Sequence, residues 1–125
     1  MKLAYKVWLD NGGKAFGEGP YELLKYVQKT GSLHQAAAQM GMSYRKAWLT
    51  IHASEQRLGF LLLERTVGGV SGGGSQITPA GRAFMKKYDQ FRMEVSRALE
   101  TVYQKHFDSD SAASCKGSPP QSNGK

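Results

Sequence analysis

Two short runs of small and apolar residues, separated by a glycine turn, constrain the fold of this chain more than any other feature. They lie between Gly31 and Arg65. Ser32 stands where the first of two helices needs an N-cap, and Ser43 does the same for the second helix. Between them, Gly41 supplies the backbone freedom that a sharp turn needs. The sequence therefore predicts two consecutive helices around a tight turn.

The apolar residues of both predicted helices recur at the spacing of a single helix face. They are Leu33, Ala36, Ala37 and Met40 in the first helix, and Ala47, Ile51, Ser54 and Leu58 in the second. Several of these side chains are small, which lets two helices cross closely at a steep angle. We interpret residues 31–58 as a helix-turn-helix whose second helix spans 43–58.

Strand signals on both sides of this motif predict two hairpins. Residues 2–8 alternate between polar and apolar, and the turn Asn11-Gly12-Gly13 leads to a returning strand at 14–16, so the hairpin spans 2–17. Residues 60–67 and 75–78 are two further strand candidates, joined by a loop with five glycines at 68–74. A hairpin directly after a helix-turn-helix forms a wing, here predicted over residues 60–78.

Proline marks the start of two more helices. Pro20 begins a helix that ends at Thr30-Gly31, and Thr78-Pro79 begins a long helix over 79–105. The apolar residues of the long helix are spaced four and three apart, which predicts a coiled-coil seam in a homodimer. The predicted dimerisation residues are Phe84, Tyr88, Phe91, Val95, Ala98 and Val102.

The expected fold class is therefore mainly α with small β-hairpins (α+β), a winged helix-turn-helix with a long C-terminal dimerisation helix. We assign residues 1–107 to one DNA-binding domain. Residues 108–125 are rich in Ser, Pro, Gly and Asn and lack aromatics, which predicts a disordered tail.

The charge of the chain favours a polyanionic partner. The net charge is +7, and the last eighteen residues contribute nothing to it, because two basic residues there balance two acidic ones. The single cysteine, Cys115, excludes a disulfide framework, and no apolar run approaches the ~18 residues of a membrane span. We expect no signal peptide and a reducing cytoplasm as the compartment.

The exposed start of the second motif helix carries the predicted DNA contacts. Tyr44, Arg45 and Lys46 lie in its first turn, where a helix in the major groove offers side chains to base edges. Cations here oppose the helix dipole, so a sequence selected only for stability would favour acidic residues. Trp48, one turn further on, could contact bases or lie in the core.

The glycine-rich loop is predicted to reach the sugar-phosphate backbone or the minor groove, because backbone N–H groups can approach phosphates where no side chain intervenes. Arg65 is either a phosphate anchor or the partner of a neighbouring carboxylate. The remaining predicted wing contacts are Thr66, Gly68, Gly69, Gly72, Gly73 and Ser75. The loop matches neither of the two glycine-rich phosphate-binding patterns, GxxxxGK(S/T) and GxGxxG.

The sequence offers no constellation for catalysis or for metal binding. His34 and His52 have no Cys or His partner at ligand spacing, so surface positions are expected for both. No nucleophile elbow and no paired carboxylates are present. We expect no enzyme activity, no metal and no cofactor.

Three stretches resemble the N-terminal DNA-binding domain of ModE-type, molybdate-responsive regulators and, more widely, the LysR-type winged helix. They are TGSLHQAAAQMGMSYRKAW (30–48), LLERTVGGVSGGGSQITPAGR (62–82) and the region of Tyr88. The resemblance covers about residues 3–105 and implies a dimer on a pseudo-palindromic operator. It implies recognition-helix contacts from Ser43, Tyr44, Arg45, Lys46 and Trp48, with Ser32 on the DNA backbone and residues 65–75 as the wing.

ModE-type regulators continue into molybdate-binding domains, whereas this sequence ends in a polar tail, so we expect a stand-alone DNA-binding domain that does not bind molybdate. The expected partners are double-stranded DNA and a second copy of the chain, without a membrane. Two alternatives remain open: a winged-helix module that docks a separate sensor protein, and a non-specific DNA binder.

Overall fold

A computed structural model describes residues 1–66 and 74–107. In chain order the elements are β1 (Leu9–Asp10), β2 (Lys14–Phe16), α1 (Glu18–Thr30), α2 (Leu33–Gln39), α3 (Tyr44–Leu58), β3 (Leu63–Thr66), β4 (Gly74–Ile77) and α4 (Pro79–Phe107). β1 pairs with β2 and β3 pairs with β4, each as an antiparallel hairpin. Of the described residues, 6–66 and 74–88 form one compact unit, and residues 1–5 form a second with 89–107. The predicted disordered tail, 108–125, lies outside the described residues.

The helix-turn-helix has the caps that the sequence predicts. The Ser32 hydroxyl accepts a hydrogen bond from the backbone N–H of Gln35, and the Ser43 hydroxyl accepts one from that of Lys46. Between α2 and α3, Gly41 adopts a φ of 66°, in the left-handed region that favours glycine. Local chemistry therefore sets both ends of the turn.

The core of the larger unit forms where α1, α2 and α3 meet. Ala36, Ala37 and Ala47 are buried at the crossing of α2 and α3, as the small-residue pattern predicts. Around them lie the other large buried side chains: Phe16, Tyr21, Leu23, Leu24, Val27, Leu33, Ile51, Leu62, Ile77, Met85 and Tyr88. The inward face of α3 is thus fixed by apolar packing, and its other face is left to solvent.

Polar contacts hold the base of the β3–β4 hairpin. The Glu55 carboxylate on α3 accepts hydrogen bonds from the backbone N–H groups of Leu62 and Leu63, at 2.7 and 3.1 Å. The Thr78 hydroxyl donates to the carbonyl of Leu61 at 2.6 Å. The strands pair in register from Leu63 with Ile77 outward. The predicted wing thus has both strands, while its tip at 67–73 lies outside the described residues.

Gly81 allows α4 to begin close against this hairpin. Its N–H donates to the Thr78 hydroxyl at 2.9 Å, which caps the helix as the Thr-Pro signature predicts. A Cβ atom at this position would lie 2.8 Å from the carbonyl oxygen of Leu62. Any side chain here would therefore displace either the helix or the strand.

The N-terminal hairpin is much shorter than predicted. Residues 2–8 form no strand, because the returning strand has only three residues before Gly17 and cannot pair with so long a segment. Within the smaller unit, the Tyr5 hydroxyl donates to the Ser96 hydroxyl at 2.8 Å. The prediction of a hairpin over 2–17 is therefore wrong at its N-terminal end. Helix α1 also begins two residues before Pro20, at Glu18.

The predicted dimer seam divides into two parts. Tyr88 is 2% exposed, and its ring lies 4.9 Å from that of Phe16, so its assignment to a dimer interface is wrong. Phe84 is partly buried and packs edge-on against the same ring. In the other unit, Phe91 and Val102 are exposed. Helical periodicity cannot distinguish a face that meets the chain's own core from one that meets a second copy.

Candidate nucleic-acid interface

The face of α3 opposite the core carries a row of exposed side chains. Ala47, Ile51 and Ser54 point into the core. On the opposite side of the helix, at spacings of four, three and four, lie Arg45, Leu49, His52 and Gln56, all of them exposed. We call these four residues the outward row. The major groove of DNA, about 12 Å wide, admits an α-helix, and exposed side chains on the face away from the core can then meet base edges.

The predicted contact residues at the start of α3 differ from one another in their exposure and contacts. Arg45 and Lys46 are exposed, as predicted. Tyr44 is partly buried, and its ring stacks on that of His34, with centroids 3.7 Å apart and 6° between the planes. Tyr44 thus joins α2 to α3. The neighbouring Ser43 hydroxyl accepts the capping hydrogen bond.

Trp48 lies outside the core. Its side chain is 45% exposed and stacks on His52, with ring centroids 4.6 Å apart and 13° between the planes. The interpretation of Trp48 as a core residue is therefore wrong. Both histidines are exposed, as expected, but each stacks on an aromatic ring, a pairing that the sequence analysis did not predict.

The outer half of β4 lies beside the start of α2. The Ser75 N–H donates to the carbonyl of Gly31 at 3.0 Å, so this backbone group already has a partner. Arg65 is exposed on β3, directly across from Ser75. Both interpretations of Arg65, as a phosphate anchor or as the partner of a carboxylate, stay predictions.

Several predicted contacts cannot be placed. Gly68, Gly69, Gly72 and Gly73 lie outside the described residues, and of Thr66 only the backbone is described, at the end of β3. Ser32 is partly buried, and its hydroxyl accepts the cap of α2. The structure thus brings Ser32 and Ser75 to the same region through Gly31.

Four residues that position the site were missed or undervalued by the sequence analysis. Leu49 belongs to the outward row, and its position four residues after Arg45 could have revealed it. Glu55 holds the hairpin, and Gly81 lets α4 approach it. Arg57, in the last turn of α3, donates from its guanidinium to the carbonyl of Gly12. These contacts depend on chain reversals that no local pattern encodes.

The described residues contain neither a candidate metal cluster nor a helix that could span a membrane. In that part of the chain, no group of three or more His, Cys, Asp or Glu side chains could hold a metal ion. No helix there is long and apolar enough to cross a membrane.

Comparison with known proteins relates this chain to bacterial regulators. Residues 21–82 match the family described as bacterial regulatory helix-turn-helix protein, lysR family. The chain is 30% identical over 116 residues to the molybdenum-pterin-binding protein MopB of Rhodobacter capsulatus, covering 93% of the chain and 43% of MopB. It is 38% identical over 86 residues to the transcriptional regulator ModE of Yersinia pestis, covering 69% of the chain and 30% of ModE.

Solved structures share the fold. The DNA-binding domain of CbnR in complex with DNA aligns with a TM-score of 0.56 and 23% identity, covering 70% of this chain and 95% of that one. Full-length CbnR with its target DNA aligns with a TM-score of 0.54. The chain spans less than half the length of MopB and of ModE. Residues 21–82 therefore belong to the LysR family of bacterial regulatory helix-turn-helix proteins, and the longer stretch around them is similar to MopB and ModE.

Proposed function

We propose that the protein is a sequence-specific, DNA-binding transcriptional regulator whose helix α3 enters the major groove. The observation that carries this proposal is the outward row of α3, which presents Arg45 and Gln56 at its two ends with Lys46 beside it. Arg and Lys donate to the acceptors of guanine, and Gln pairs with adenine in the major groove. The family membership of residues 21–82 supports the same conclusion.

The hairpin supplies the second predicted contact. Arg65 is exposed on β3 in the third residue pair outward from the base of the hairpin. From there its side chain could donate to a phosphate, which would orient the domain without reading sequence. The glycines at 68, 69, 72 and 73 belong to the same proposal, as close backbone approaches to the DNA. The net positive charge would add a non-specific attraction that weakens as salt is raised.

We further propose that two copies bind together. Phe91 and Val102 are exposed apolar residues of α4, and with Val95 and Ala98 they keep the spacing of a coiled-coil seam. A symmetric dimer would read two half-sites about one helical turn of DNA apart. Phe84 and Tyr88 are not part of this proposal, since they pack in the core of the larger unit.

A protein-docking module is the second candidate, because Trp48 and Leu49 expose apolar surface on α3. Retention on immobilised duplex DNA separates the two. A DNA reader elutes at a salt concentration that depends on the sequence, whereas a docking module elutes early from every duplex. The names of MopB and ModE refer to molybdenum and to transcription; we extend only the second property to this chain.

The decisive experiment is selection of bound duplexes from a random-sequence pool, followed by measurement of Kd for the enriched and a scrambled duplex. Replacing Arg45 by Ala should reduce the preference for the enriched duplex by about 1–3 kcal/mol. Arg97→Ala removes the same charge from an exposed position on α4 and should lower both affinities equally, if at all. An unchanged preference in R45A would show that α3 is not the reading element.

A further inference from the structure

The outward row contains a large apolar residue, Leu49, whose exposure to water is unfavourable. Leu49 is 47% exposed, yet it lies midway along α3, between Arg45 and His52 of the same row. Trp48, beside it, is 45% exposed. Neither belongs to the core of the domain. A large exposed apolar side chain in the middle of the outward row, with a second one at the edge of that row, indicates an apolar group on the partner.

Duplex DNA offers one apolar group in the major groove. The edges of guanine, cytosine and adenine present hydrogen-bond donors and acceptors there, and thymine alone presents its C5-methyl group. Arg45 on the same row is suited to guanine acceptors, and Gln56 is suited to adenine. A leucine between them has no hydrogen bond to offer and can discriminate bases only through apolar contact.

The stack of Trp48 on His52 limits how the indole can move. The two rings lie 4.6 Å apart and are nearly parallel, so the imidazole covers one face of the indole. A side chain held in this way loses less conformational freedom on binding than a free one. Trp48 is therefore prepared to lie against a flat or methylated base edge beside Leu49.

We propose that Leu49, with Trp48 beside it, reads the C5-methyl groups of thymine in the recognition sequence. This inference rests on the proposed function and adds the chemistry by which the middle of α3 discriminates bases. It requires that each half-site contain at least one thymine whose methyl group, and not only its hydrogen-bonding edge, contributes to affinity. His52 is a positioning residue in this scheme, since it acts through the indole of Trp48.

The test compares thymine with uracil, which differs by this methyl group alone. The enriched duplex from the random pool is synthesised with deoxyuridine in place of each thymidine in turn, and Kd is measured for each duplex. Losing one methyl contact should weaken binding of the unmodified protein about fourfold, the equivalent of ~0.8 kcal/mol for one buried carbon group. The loss should be confined to one or two thymines in each half-site.

The same measurement with Leu49→Ala completes a double-mutant cycle. L49A should bind the thymine duplex more weakly and lose no more than a small further factor on the uracil duplex. Leu49→Met retains an apolar side chain and should restore most of the methyl preference. Because Leu49 is half exposed, thermal melting should show both variants folded.

Two outcomes would overturn the inference while leaving the proposed function intact. One is equal binding of thymine and uracil duplexes by the unmodified protein. The other is a full fourfold uracil penalty that persists in L49A. Failure of the random pool to yield any enriched duplex would instead contradict the proposed function itself, so the two failures are distinguishable.

Discussion

Helix α3 and the β3–β4 hairpin are neighbours in one compact unit, but they are held in place by different forces. The helix is fixed by apolar side chains, with Ala47 and Ile51 buried against α1 and α2. The hairpin contributes Leu62 and Ile77 to the core, and its base depends on hydrogen bonds to Glu55 and Thr78. Apolar packing leaves the opposite face of α3 available for any side chain that recognition requires.

This difference between α3 and the β3–β4 hairpin indicates which residues can be substituted without loss of the fold. Residues of the outward row can change with little effect on stability, because all four are exposed. The hairpin has no such separation, since the contacts that hold its strands adjoin the residues proposed to meet the DNA backbone. Three substitutions test this difference.

Ile51→Ala should have the largest effect. Removing a buried branched side chain leaves a cavity, and the free energy of unfolding should fall by about 2–5 kcal/mol. Leu49→Ala, two positions earlier on the outward row, is the matched control and should change it by less than about 0.5 kcal/mol. Urea denaturation followed by circular dichroism measures both. Similar losses in the two variants would contradict the assignment of opposite faces to α3.

Glu55→Ala should have a smaller and more local effect. It leaves the N–H groups of Leu62 and Leu63 without their carboxylate acceptor, at a cost of about 1.5–3 kcal/mol. Hydrogen exchange should accelerate at these two amides more than in the middle of α3. Glu94→Ala, at an exposed position on α4, should leave both rates unchanged. Uniform acceleration throughout the unit would indicate that Glu55 supports the whole core instead of the hairpin.

Ser43 gives the smallest and most informative change. Ser43→Ala removes the cap of α3 and should cost about 1 kcal/mol of unfolding free energy. Ser43→Asp keeps a capping oxygen and should retain stability, but it brings a negative charge to the proposed DNA surface. S43D should therefore melt like the unmodified protein while its Kd for duplex DNA rises. Equal DNA binding by S43D would place the start of α3 away from the phosphates.

The helix-turn-helix could be predicted from sequence because its determinants are local. Ser32, Gly41 and Ser43 act on backbone groups within three residues, and the structure confirms the caps and the turn. The interface residues followed from the same pattern only in part. Trp48 could not be assigned to core or surface, because its position at the edge of the apolar stripe fits both.

The errors of prediction arise where a sequence pattern indicates a strand or an apolar face but does not indicate which segment it packs against. Alternation in residues 2–8 favours a strand, but strand formation requires a neighbouring strand, which residues 14–16 are too few to provide. The four-three spacing through Tyr88 continues past the core into the exposed part of α4, so one seam was inferred where two environments exist. Glu55 was missed because its acceptor role appears only once the chain reverses after Gly59.

The hydrogen bond from Ser75 to Gly31 has a consequence for the geometry of any operator. It joins the outer part of β4 to the residue immediately before the α2 cap, which favours a constant separation between the hairpin and the start of the helix-turn-helix. The two elements proposed to contact DNA would then require a constant distance between their contact points on the duplex. A base pair inserted between the segment read by α3 and the phosphates met by the hairpin should not be accommodated by adjustment of the protein.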